Sequence, residues 1–144
     1  MLDAADAGIL VDLAIKACVA MGVPQNIAVV DGAGLLLAFH RMDGAKPYTA
    51  SFAMAKARTA AGLHTATDKL AEIALPGQRG FGLNTLLDGD VAILGGGMPV
   101  TAQGVVVGAI GVSSGAVHQD AEIAKQAVLG FESLGRQEPT GTAP

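Results

Sequence analysis

Three groups of residues in this 144-residue chain combine the types and spacing that chemistry needs. The first is Lys56, set in an alanine-rich stretch, where an ammonium must either face solvent or point at a pocket. Aimed inward, it would pair with Asp120 or with the carboxylate of a ligand. Thr59 follows three residues later on the same helical face, and its hydroxyl can serve a ligand or bond back to its own helix. The second group is His118-Gln119-Asp120 at a predicted helix start, where the positive dipole end keeps a carboxylate ionised; the plain role for Asp120 there is a cap. Lys56, His118 and Asp120 are thus the candidates for catalytic proton transfer. The third group is Gly95-Gly96-Gly97 between two predicted strands. Bare N–H groups in such a run can form a concave site for a carboxylate or propionate, or the run can simply be a tight turn or bulge.

Other chemistries find no support. The triplet is not a dinucleotide fingerprint, since no glycine stands three residues after Gly97. No nucleophile elbow and no Ser-His-Asp order points to acyl transfer. His40, His64 and His118 form neither HxxxH nor HExxH, so no metal site is expected. A haem needs only one axial ligand, which a single histidine or a weaker oxygen donor can supply, and His118 and His64 are the better placed. Without CxxCH, any haem would be held non-covalently. The lone Cys18 falls among apolar residues of a helical pattern and reads as a buried thiol. Phe81 lies in a glycine-rich loop from which a ring could cover a flat ligand.

These residues need elements to hold them. Apolar positions at helical spacing from Asp3 to Met21 predict a first helix, started by Asp3 and ended by Gly22 and Pro24. Ile27–Val30 and Leu35–Arg41 read as strands of a hairpin about the turn 31–34. After a polar break, Tyr48–Leu63 is a helix with the small face Ala50, Ala53, Ala57 and Ala60, and Thr67 begins a short helix to about Ala74 that its hydroxyl would cap. Residues 75–90 have loop composition. Val91–Leu94, Pro99–Thr101 and Val105–Ser113 read as three more strands, and Ala116–Leu134 as the last helix. The order αββααβββα, with hairpin connections, predicts an α+β fold: an antiparallel five-stranded sheet with helices packed on it. One domain over 1–134 is expected, with a disordered polar tail over 135–144.

Composition narrows the partners. With 51% hydrophobic residues but only 3% aromatic, the core must be built from Ala, Val, Leu and Ile. A net charge of −4 with dispersed Lys and Arg offers no stripe for nucleic acid. No apolar run reaches membrane-spanning length and no basic leader opens the chain, so a cytoplasmic protein is expected. Charged residues make up only 15%, too few to cover the surface of one small sphere comfortably, so some apolar surface is expected between subunits.

Five ordered blocks resemble a known family: Ala28-Val29-Val30-Asp31 with Gly34, Arg41-Met42-Asp43-Gly44-Ala45, Lys56-Ala57 with Thr59-Ala60, Gly95-Gly96-Gly97 with Pro99-Val100, and Val107 to Ser113. Together they are similar to the GlcG/HbpS proteins over roughly residues 3–132. The resemblance implies a profilin-like αβ sandwich, dimers that commonly build octamers, and haem binding in some members. It favours a site role for Lys56; the ligand-binding candidates are Thr59, Thr67, Phe81, Gly95, Gly96 and Gly97. The functional expectation is a small oligomeric protein binding haem or a related tetrapyrrole. The alternative is a cofactor-independent isomerase or lyase acting on a small carboxylated metabolite.

Overall fold

The computed structural model describes residues 1–135, so the expectation for the tail lies, beyond Gly135, outside the described residues. Helix α1 (Ala4–Met21) is followed by strands β1 (Asn26–Asp31) and β2 (Leu36–Arg41), helices α2 (Ala50–Leu63) and α3 (Thr67–Ile73), strands β3 (Gly97–Ala102) and β4 (Val105–Ser113), and helix α4 (Val117–Ser133). The local signals act as their chemistry dictates. The Asp3 carboxylate accepts from the Asp6 N–H at 2.8 Å and Asp6 returns the bond at 3.1 Å, which closes the start of α1. Gly22 ends it in the left-handed region, with the Val23 N–H donating to Cys18 O. Gln103 and Gly104, both at positive φ, make the two-residue turn that matches strand twist between β3 and β4.

The strands form one antiparallel sheet in the order β2-β1-β4-β3. Among the described residues it has four strands, not five. Val91–Leu94 is the segment that differs: it is not part of the sheet, and two of its backbone groups bond to side chains instead. The Ala92 N–H donates to Thr59 Oγ1 at 2.9 Å, and Leu94 O accepts from Thr67 Oγ1. A short apolar run cannot by itself distinguish these two ways of pairing a backbone.

Helices cover both faces of the sheet. On one, Ile27, Val29, Val100, Ile110 and Val112 pack against Leu10, Ala14 and Cys18 of α1 and Ile123, Ala127 and Phe131 of α4. On the other, Ala28, Val30 and Ala109 meet Ala53, Ala57, Ala60 and Ala61 of α2. Small side chains on both partners let α2 approach very closely. At Gly111 a Cβ would penetrate the backbone of α2 at Ala53 and Ala57. That approach brings the side chain of Lys56 to the end of β4.

Candidate functional site

Lys56 is buried, with only 2% of its side chain exposed. Its ammonium sits where α2 crosses the end of β4, and it donates to Val112 O at 3.0 Å, Ser113 Oγ at 3.2 Å and Asp120 Oδ2 at 3.0 Å. Three donors thus meet three acceptors. The pairing with Asp120 that the sequence offered as one option is therefore formed. Burial pushes the Lys56 pKa below its ordinary value, and the Asp120 carboxylate works in the opposite sense. Asp120 is equally buried. Its other oxygen accepts from Gln25 Nε2 at 2.9 Å and from the Gly115 N–H at 3.0 Å, while Gln25 Oε1 accepts from that same N–H at 3.0 Å. The Ala116 N–H donates to Gln119 Oε1, so the start of α4 is closed by Gln119 and Asp120 together.

The two threonines hold the chain between α3 and β3. Thr59 Oγ1 accepts from Ala92 and lies 3.4 Å from Asp90 O, beside the bidentate Arg58–Asp90 ion pair. Thr67 does not cap α3: its hydroxyl donates to Leu94 O at 2.5 Å and accepts from the Gly97 N–H at 2.8 Å. The loop hydrogen bonds win because the buried Gly97 N–H is otherwise left unpaired away from water. The glycine triplet is needed for packing. Gly96 has φ +126°, and a Cβ there would stand 3.0 Å from both Asp120 Cβ and Lys56 Nζ; a Cβ on Gly97 would run into Thr67 and the backbone of α2.

In front of that triplet lies a cleft of about 810 Å³. Gly95, Gly96, Gly97 and Met98 form its base, Ala66, Asp68, Lys69 and Ala71 of the α3 region one wall, and Val117, His118, Ala121, Glu122 and Lys125 of α4 the other. Its size falls within the ordinary range for small-molecule sites. Of the candidate residues, His118 and the three glycines line it. Lys56 and Asp120 sit behind the base, Thr59 and Thr67 bond to the chain that leads into it, and Phe81 is 68% exposed and outside its lining. His64, in the left-handed conformation after α2, and His40, exposed on β2, do not line it either. The sequence reading overlooked Lys69, Lys125 and Met98. For Lys125 the signal was present, since Ala121, Glu122 and Lys125 follow His118 by three, four and seven residues on one helical face. Met98 offered none.

A second recess of about 260 Å³ lies between α2 and residues 84–94, with Phe52, Val91, Ile93 and Leu94 among its walls. Among the described residues, no three His, Cys, Asp or Glu side chains converge as a metal site would require. No described helix is long and apolar enough to cross a membrane.

Residues 2–129, which contain both walls of the cleft, match the family described as haem degrading protein HbpS-like. The chain belongs to the HbpS-like family. Its solved structural neighbours include Klebsiella pneumoniae protein ORFY, with a TM-score of 0.88 at 32% identity over 92% of this chain and 91% of that one. The PduOC:heme complex superposes with a TM-score of 0.84 at 33% identity, covering 89% of this chain and 93% of PduOC. By sequence, the HbpS-like chain is 34% identical over 106 residues to the corrinoid adenosyltransferase PduO of Salmonella typhimurium. That match takes in 74% of this chain but only 32% of PduO, so it spans about a third of that relative. A 15.0 kDa protein of Citrobacter freundii is 37% identical over 114 residues, 79% of this chain and 80% of its own length.

Proposed function

We propose that this HbpS-like chain is a small oligomeric ligand-binding protein of the cytoplasm whose cleft takes haem or a related tetrapyrrole. The observation that carries the reading is the cleft beside Gly95–Gly97, of about 810 Å³, with an exposed imidazole on one wall. The lining suits an amphipathic disc. Ala66, Ala71, Val117, Ala121 and Met98 give apolar contact, His118 offers an axial nitrogen, and Lys69 and Lys125 offer cations for propionates. A bound haem would supply a redox-active iron, and the residues named would hold and orient it. That PduOC, at 33% identity, is solved with heme supports the same choice of ligand.

The test is a haemin titration followed by the Soret band. Saturable binding that weakens and changes spectrally in His118→Ala is the expected result; an absence of saturable binding overturns the reading. The alternative, a cofactor-independent isomerase or lyase, needs a proton acceptor that reaches the substrate. Of Lys56, His118 and Asp120, only His118 lines the cleft.

A further inference from the structure

Behind the cleft, Lys56, Asp120 and Gln25 join four separate pieces of chain. Lys56 comes from α2, Gln25 from the residue before β1, Asp120 from the first turn of α4, and Val112 and Ser113 from the end of β4. Two parts of the cleft rest on this cluster. One is its base: Gly96 lies so close to Asp120 Cβ and Lys56 Nζ that no side chain fits between them, and Gly96 O accepts from the Val112 N–H at 2.9 Å. The other is the wall that carries His118. Gly115, where the chain turns from β4 into α4, gives its N–H jointly to Gln25 and Asp120, three residues before His118.

We infer that Lys56, Asp120 and Gln25 are positioning residues, which fix the first turn of α4, and with it His118, against the Gly95–Gly97 base. They present no group to the cleft themselves. Both oxygens of Asp120 and all three protons of Lys56 are engaged inside the protein. This assigns Lys56 and Asp120 a role other than proton transfer, and it rests on the reading of the cleft as a ligand site. Buried charges that are mutually satisfied act by geometry: the pair is strong only in one arrangement, so it selects the arrangement of the elements that carry it. Outer partners of this kind set how well a metal ligand is held, even though they never touch the metal.

The experiment compares wild type, Lys56→Met and Gln25→Met. Gln25→Met removes the Gln25 half of the clamp on Gly115 and the bond from Gln25 to Asp120 but leaves the ion pair, so it keeps the inference testable if Lys56→Met does not fold. Each protein is titrated with haemin well below its melting temperature, and amide hydrogen exchange is measured without ligand. The expected result is roughly tenfold weaker haemin binding with an altered or heterogeneous Soret band. Exchange should be faster by roughly tenfold at residues 95–97 and 115–119 while β1 and α1 keep their protection. A merely structural role would lower the melting temperature with an unchanged spectrum, unchanged affinity and no local rise in exchange, and that result overturns the inference. If wild type does not bind haemin, the ligand reading fails, and the exchange pattern alone then decides whether the cluster positions the cleft.

Discussion

A charge such as that of Lys56 is tolerated inside a protein only where every proton has a partner. Removing one member of a buried pair strands the other, at a cost of about 3–5 kcal/mol, whereas replacing both by apolar groups of similar volume can be nearly neutral. Urea unfolding of Lys56→Met should therefore show a loss of about 3–5 kcal/mol. Lys56→Met combined with Asp120→Leu should lose much less than the sum of the single variants. Cys18 offers a second residue-scale test. It is fully buried, and burial together with the Asp120 charge raises its thiol pKa from 9.0 to about 11. A raised thiol pKa stabilises the fold below the unfolded value, and that contribution is lost as pH climbs through the folded one. Denaturant midpoints should thus fall between about pH 9 and pH 11 in wild type, and fall less steeply in Cys18→Ala. In the wild type at pH 8, a thiol reagent should react slowly until denaturant is added.

The elements that position the cleft differ in how openly their sequences declare them. Helix α1 announces itself by the Asp3 cap, the apolar stripe and the Gly22 stop, and the β1–β2 hairpin by the turn that follows its β-branched first run. The stretch from Val91 to Gly97 is harder, because its structure depends on hydroxyls far away in the chain. Thr67 reads as a helix cap from its neighbours alone, yet its hydroxyl is taken by Leu94 and Gly97. In the same way, Lys56 and Asp120 could be suspected as partners, but nothing near either residue says that the pair lies outside the lining of the cleft. Periodicity can choose a helix face, as it could have for Lys125, and it cannot choose which long-range hydrogen bond a side chain makes. Thr67→Val checks this at the level of the element. It keeps the shape, leaves Leu94 O and the Gly97 N–H without their partner, and should cost about 1–3 kcal/mol by denaturant unfolding. Thr67→Ser, which keeps the hydroxyl, should recover most of that loss.

At the scale of the molecule, the surface is where the composition shows. The small face of α2 is spent on the chain's own sheet, since Ala53, Ala57 and Ala60 are fully buried against it. What remains outside is larger. Tyr48 is 83% exposed and stacks edge-on against Phe52 with ring centroids 5.8 Å apart, and Phe52 in turn lines the recess shared with residues 84–94. The same stretch of chain carries Leu86 and Leu87, the latter 78% exposed. Apolar groups gathered in this way gain from burial against another surface, roughly 25 cal/mol for each Å² removed from water. With so few charges in the chain to keep single copies apart, self-association through this face is the expected outcome. Light scattering at micromolar concentration should then give a mass that is a multiple of 14.3 kDa. Tyr48→Glu combined with Leu87→Glu should move that mass toward 14.3 kDa while leaving the thermal melt cooperative, because both side chains are exposed in the single chain and neither belongs to its core. An oligomer whose mass survives both substitutions would be built on another face, and a wild type that already runs at 14.3 kDa would show that this apolar surface is carried without a partner copy.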